Sequence, residues 1–518
     1  REAVVTDNAL GDYDQITVDH VSIQHVYRRG IDLVTTSTGH GVGNQITNNS
    51  FDDVGNNVAT TSGGYAIVLL QEDATVALNA ITNSGAGIAA NYLTGTTRAP
   101  LVTVQGNTIA NVTIGMELSG LADGSLIGGA TAGDGNAITP NLDSTGILVE
   151  YASGTVTLQN NVINASGTGA GVVLYHNEDP AKPVRVLDNA LVAVGSTSAA
   201  AGEGAGIFMT DDGAPFGDED GASYATIQGN SITGFAVGID FERNEAPAAP
   251  AHPMYALIGG LGAGEANTIT GGETGIRAFD SEPGSGVATI DMIGDFVHDN
   301  TGVGVDVAGG AATLKANTIS GNQTGVSVGA GGNLGAASQP TSQNFINGND
   351  VGIRIASGAG AIGPIFENDL SGNTTAALVN NGAALVDASG DWWGDNTESG
   401  VTGAISGAGV DFSPWLDGGA DQDATATGIG FQGDFSSLTV DHLSPQTSGT
   451  AIQEGVNLST PGGTVHVLAN AAAGDYHGNV TIDHDLTLAG QGGPVLTGSG
   501  AGSGTGMTIV SPAGAVTV

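Results

Sequence analysis

The sequence contains no cysteine among its 518 residues. Disulfides, iron–sulfur clusters, thiolate zinc sites and c-type haem attachment are therefore excluded. Basic residues are scarce, with ten Lys and Arg against 52 Asp and Glu, a formal net charge of −42. Phosphate recognition needs Lys and Arg, so nucleic acid is excluded as a partner, and anionic membranes and polyanionic glycans are poor ones. A charge of this size keeps a long chain soluble, favours divalent cations, and suits salty surroundings that screen its self-repulsion. Aromatic residues make up only 5%, so a core must be built from Val, Ile, Leu and Ala. No apolar run approaches the roughly 18 residues of a membrane span, and no signal peptide is visible. Arg1 to Leu10 reads as mid-domain, which places any targeting signal outside this chain.

Glycine is abundant instead, at 87 residues. It follows no Gly-x-y period, so collagen is excluded. Hydrophobic residues reach 40%, enough for a long core. A tripeptide Asn-x-Ile or Asn-x-Leu recurs at Asn44, Asn79, Asn107, Asn136, Asn161, Asn189, Asn230, Asn267, Asn317, Asn344 and Asn368. Many gaps fall between 24 and 29 residues, and the 50-residue step from Asn267 to Asn317 holds two periods. Eight residues after Asn79, Asn107, Asn230, Asn267, Asn317 and Asn344 stands a glycine followed by an aliphatic residue, as in Gly115-Met116 and Gly238-Ile239. A constant offset within a variable period marks one structural unit with loops inserted elsewhere.

Apolar residues alternate with polar or small ones over three to five positions, the pattern of a strand with one buried face. Glycine supplies positive φ at the corners between strands, and asparagine tolerates the same geometry. Stacked asparagines bond along the axis. Each period is thus a coil of short strands, paired with equivalent strands one coil away. The fold class expected is all-β, a right-handed parallel β-helix. Fourteen or so coils at a rise of about 4.8 Å give about 70 Å of length. The structural ladder comprises Asn107, Asn161, Asn230, Asn267, Asn317, Asn344 and Asn368.

The pattern breaks after residue 389. We read 1–389 as the β-helix and 390–416 as a C-terminal cap in which Trp392, Trp393 and Trp415 cover the open apolar core. Residues 417–430 are a Gly/Asp-rich linker. Residues 431–518 start a second β-helix, with a short amphipathic helix in Thr450 to Leu458 and strands at Gly463 to Leu468 and Asn479 to Gly490. Joined head to tail, Val516-Thr517-Val518 would run into Arg1 to Val5. One chain is then either a period of a longer array or a subunit that completes its neighbour, and a homo-oligomer or filament is expected.

The Asn/Gly coils resemble the repeats of the pectate-lyase-like parallel β-helix superfamily. The segment Thr450 to Gly490 resembles the way many such helices begin. The Trp-Trp-Gly and Ser-Pro-Trp-Leu sequences resemble ends of β-helix domains in large bacterial surface proteins, planctomycete-like ones especially. The resemblance implies the fold over nearly the whole chain. It leaves activity open, because the superfamily hosts lyases, hydrolases, epimerases, adhesins and inert scaffolds.

Four constellations carry chemistry-bearing side chains. Gly39-His40-Gly41 resembles the Gly-His-Gly of polygalacturonase-type hydrolases, but Asp52-Asp53 follows it and no Arg-x-Lys exists. Asp19-His20, His25 and Arg28-Arg29 are read as a solvated strand face. Asp211, Asp212, Asp218, Glu219 and Asp220 crowd one insertion, and such hard oxygen ligands suit calcium. The spacing is not that of an EF-hand. Asp240 and Glu242-Arg243 precede a second, Pro-rich insertion. The function expected is an extracellular or cell-surface structural or adhesive protein, calcium-binding, without catalysis. The alternatives are a polysaccharide lyase or hydrolase, and a non-catalytic glycan-binding module.

Overall fold

The computed structural model describes residues 3–6, 14–35, 40–56, 64–91, 99–195, 204–211, 221–243, 252–281, 288–423, 430–446, 450–469, 476–497, 506–510 and 514–518. The chain is a right-handed parallel β-helix solenoid, almost entirely strand. It divides into two compact units, Arg1–Asp291 and Met292–Val518.

In the first unit each coil contributes one short strand to each of three parallel sheets. One coil runs through Thr157–Gln159, Val162–Ser166 and Val172–Tyr175. Each of these strands pairs in parallel with its equivalents in the coils before and after. The register stacks like on like. In the first sheet Ile88, Met116, Ile147, Val172, Ile207, Ile239 and Ile276 form one column. In the third, Ile81, Ile109, Ile138, Ile163, Leu191, Ile232 and Ile269 do the same. All of these side chains are buried, and each contributes about 1.5–3 kcal/mol by leaving water. Because the side-chain period is two, a one-residue slip would turn a whole column outward.

The corners are polar. Asn49, Asn79, Asn107, Asn136, Asn161, Asn189, Asn230 and Asn267 stand one above another. Each Nδ2 donates to the next Oδ1 at 2.9–3.0 Å. The same Oδ1 also accepts the backbone N–H of the previous asparagine at 2.9–3.1 Å. Each amide of this ladder is thereby joined to its neighbours in adjacent coils. Asn44 departs from this series. It lies inside the strand Gly41–Thr47, where its Nδ2 donates to Glu72 at 2.5 Å. Asn49 holds the corner of that coil, followed by Phe51 where other coils carry Ile or Leu.

The glycine of the Gly-aliphatic element has a different role from the one its position implied. Gly87, Gly115, Gly146, Gly171, Gly206 and Gly238 do not adopt positive φ; a Cβ on any of them would lie 2.2–2.5 Å from the carbonyl oxygen of the glycine one coil on. They form a column of close backbone approach. The left-handed corners are shared between other glycines and residues such as Asn48, Asp53, Asn83, Asn111 and Asn160. Gly146→Ala would push a Cβ to 2.4 Å from Gly171 O and 2.6 Å from Ile163 Cγ2. A backbone carbonyl has little room to yield, so this change should cost about 1–3 kcal/mol. Gly403→Ala, with nothing within 4 Å of the new methyl, should be neutral. Urea unfolding of both variants checks this.

In the second unit the coils continue through Val303–Ala308, Thr324–Val328, Val351–Ile355, Ala376–Asn380 and Ile405–Gly407, paired in parallel. One ladder joins Asn317, Asn344 and Asn368, and Asn368 donates to Asp391 at 2.9 Å. Burial holds the Asp391 carboxyl well above the usual carboxylate range. A second ladder, Asn300, Asn322, Asn349 and Asn373, occupies another corner.

The coil pattern then gives way to helix α1 (Glu398–Gly403), capped by Thr397, and to the parallel pair Val386–Asp387 and Val410–Asp411. Trp415–Leu416 pairs antiparallel with Ser437–Val440. That strand opens a new parallel sheet with Gly463–Leu468, Leu486–Gln491 and Val516–Thr517. Helix α2 (Ala451–Leu458), capped by the Thr450 side chain, packs Ile452 and Val456 into a core with Val440, Val465, Tyr476, Val480 and Leu488. A second β-helix starts here. Trp415 and Trp393 are buried, and Trp392 packs against Leu416, Phe431 and Leu438.

Candidate metal centre

Asp387 and Asp411 are register partners on neighbouring parallel strands. Identical register places their side chains on one face, a strand spacing apart. Glu454 is carried to the same place by the first turn of α2. Carboxylate oxygens of the three residues lie within 4.8 Å of one another. Asp411 is fully buried. Ser389 Oγ is 2.7 Å from Asp387 Oδ1 and 3.2 Å from Glu454 Oε1. Ser444 Oγ donates to Asp411 Oδ1 at 2.8 Å, and Gln446 Nε2 lies 3.4 Å from the same atom. Among the described residues, Glu454 Oε2 and Gln446 Oε1 are buried and accept no hydrogen bond.

Burial, then the charges of Asp411 and Asp387, push the Glu454 carboxyl up to about 8, against the pull of Ser389. Crowded carboxylates lack positive charge, which either a proton or a cation supplies. Three carboxylates with flanking serine and amide oxygens form a hard donor set able to hold a divalent ion.

The pH consequence follows from the direction of the shift. In cation-free buffer the folded protein binds more protons at Glu454 than the unfolded chain does between their two pKa values. The contribution is fully present below the ordinary glutamate value of 4.5 and declines as pH rises toward about 8. Amide protection in residues 450–458, relative to the intrinsic exchange rate at each pH, should therefore fall over that window, and Glu454→Gln should flatten the dependence. An unchanged slope in the variant would refute it.

The other sequence candidates are placed as follows. Asp212, Asp218, Glu219 and Asp220 lie outside the described residues. Asp211 is fully buried, its Oδ2 3.7 Å from Arg243 Nε. Asp240 and Glu242 face Arg277 of the next strand, whose guanidinium reaches Asp240 Oδ1 at 2.8 Å, Asp240 Oδ2 at 2.6 Å and Glu242 Oε2 at 2.7 Å. Arg243 Nη1 donates to Asp280 Oδ1 at 2.9 Å. These are ion pairs between coils. His20 and His25 do not converge: His20 pairs with Asp19 at 2.7 Å and His25 with Asp53 at 2.8 Å, both at positive φ. Arg29 binds Asp32 through two contacts of 2.8 and 2.9 Å. His40 Nε2 meets Asp73 Oδ1 at 2.7 Å.

Sequence reasoning missed the triad. One signal was present: Val386-Asp387 and Val410-Asp411 repeat the same dipeptide 24 residues apart, one coil period. Nothing in the sequence linked Glu454 to them. Among the described residues, no helix is long and apolar enough to cross a membrane. Comparison with curated proteins and with solved structures gives no match. Residues 10–217 match the family described as right handed beta helix region, so the chain contains a right-handed parallel β-helix domain, and the solenoid extends beyond the matched segment.

Proposed function

We propose that this chain is a structural or adhesive segment of an extracellular or cell-surface protein. The observation that carries the reading is the cohesion between coils that runs through the described asparagine corners. Buried asparagine ladders and close glycine columns hold one coil on the next. The excess of 52 acidic over ten basic residues suits a salty exterior that screens it. Head-to-tail association through end coils, expected from the sequence, belongs to the same reading.

The triad adds a calcium-dependent clamp. Asp387 and Asp411 belong to the last coils of one β-helix, and Glu454 to the helix that begins the next. An ion shared among them ties the two together. Electron microscopy of the purified chain, with calcium and with a chelator, tests the whole reading. Regular assemblies that shorten or loosen on chelation support it. Isolated particles in both conditions would remove the assembly. An unchanged exchange rate in α2 on chelation would remove the clamp.

One observation favours hydrolysis or elimination on a polysaccharide instead. The His40–Asp73 pair stands where Asp73 also lines a cavity of about 300 Å³ with Asn44, Thr75 and Thr103. Under this reading a glycan-cleavage screen detects turnover that His40→Ala abolishes. Turnover equal in the variant would clear His40 of that role.

A further inference from the structure

A polar cavity of about 560 Å³ lies between the turn at the start of α1 and the outer face of the five-stranded sheet. This volume is that of a small-ligand site, about 300–1,000 Å³. Its floor is built from adjacent strands in register, Thr439 beside His466 and Leu468 beside Gln491. Asn396 and Glu398 form the opposite wall.

The floor is fixed by Asp417. Its Oδ2 accepts from Ser437 Oγ and its Oδ1 from Thr439 Oγ1, each at 2.6 Å. His466 Nε2 stands 3.7 Å from Asp417 Oδ2, and Gln491 Nε2 is 3.1 Å from His466 Nδ1. The amide nitrogen only donates, so in this contact Nδ1 accepts and the ring N–H lies at Nε2. Asp417, held by its own partners, lies beside the imidazole Nε2. Asn396 and Gln491, both exposed, retain donor and acceptor capacity toward the cavity.

We propose that this cavity binds a neutral polyhydroxylated ligand, a sugar residue, through Asn396, Glu398, His466 and Gln491. Vicinal hydroxyls both donate and accept, which matches planar amides set beside a carboxylate and an imidazole N–H. An anion is disfavoured, because Glu398 and Asp417 line the site and none of its described lining residues is Lys or Arg. An apolar ligand is disfavoured, because Leu468 is the only apolar side chain among the described lining residues. The proposal does not depend on the structural reading and gives an adhesive chain something to hold.

The test titrates the full chain with neutral monosaccharides and disaccharides, with glucuronate and glucosamine as charged counterparts. Binding is read by calorimetry and by the imidazole resonances of His466. Neutral sugars should give a saturable shift at His466. Asn396→Ala and Gln491→Ala, both at exposed positions, should each weaken binding about tenfold through a lost hydrogen bond. Three results would overturn the proposal: no neutral sugar moves His466, both variants bind unchanged, or only glucosamine binds. The His466 signal in the unaltered chain keeps the test decisive if a variant misfolds.

Discussion

Asn161→Ala should lower stability by about 3–6 kcal/mol, because it leaves several buried polar groups without partners. Asn161 is fully buried. Its Oδ1 accepts the backbone N–H of Asn136 at 3.1 Å and the Asn136 side-chain amide at 2.9 Å. Its Nδ2 donates to the Ile127 carbonyl at 2.9 Å and to Asn189 at 3.0 Å. Alanine removes all four contacts from a fully buried corner. The damage should be local, since coils of a solenoid touch only their neighbours. Hydrogen exchange resolved by segment is the right measurement. Protection should fall most in Thr157–Gln159 and in the strands paired with it. Thr139→Ala, on the exposed face of a neighbouring strand, should change stability by no more than about 0.5 kcal/mol. Equal effects from the two substitutions would show that the ladder contributes no more than an ordinary surface residue.

The second large effect should come from Arg277→Met. Asp240 is fully buried and Glu242 nearly so. Arg277 supplies three contacts of 2.6–2.8 Å to them. Methionine keeps most of the side-chain volume and removes the charge. Two carboxylates then remain buried without that guanidinium, at a cost of about 3–5 kcal/mol. Arg277→Lys should recover only part of the loss, because an ammonium cannot reproduce the forked contact with Asp240. Adding Asp240→Asn and Glu242→Gln to Arg277→Met should recover stability, because the stranded charges are then gone. Denaturant unfolding of the single and triple variants decides this. A triple variant no more stable than Arg277→Met would show that the guanidinium acted through packing instead.

The asparagine corners could be read early because each obeys a local rule. A residue that must satisfy a buried amide one coil away recurs at the coil period, whatever loops intervene. Ile163 and Ile232 were legible for the same reason, since alternation along a strand needs only near neighbours. Asn44 misled because Asn44-Gln45-Ile46 copies the tripeptide inside a strand, while Asn49 before Phe51 fills the corner. The columnar glycines were located by their offset, yet their reason was hidden. A sequence shows that Gly146 recurs where Gly115 did. It does not show the Gly171 carbonyl 2.4 Å from a missing methyl.

By itself, then, the sequence determined a coiled all-β architecture, its polar corners and its aliphatic interior. These follow from period and alternation, which are properties of neighbours along the chain and of one coil on the next. Only the tertiary structure decided which charges meet. Asp387 and Asp411 come together because their strands pair. Glu454 joins them because α2 folds over the same ground, 43 residues further on. Asp417, His466 and Gln491 likewise converge from separate segments. No period links such residues, so their chemistry emerges only when packing fixes the distances between them.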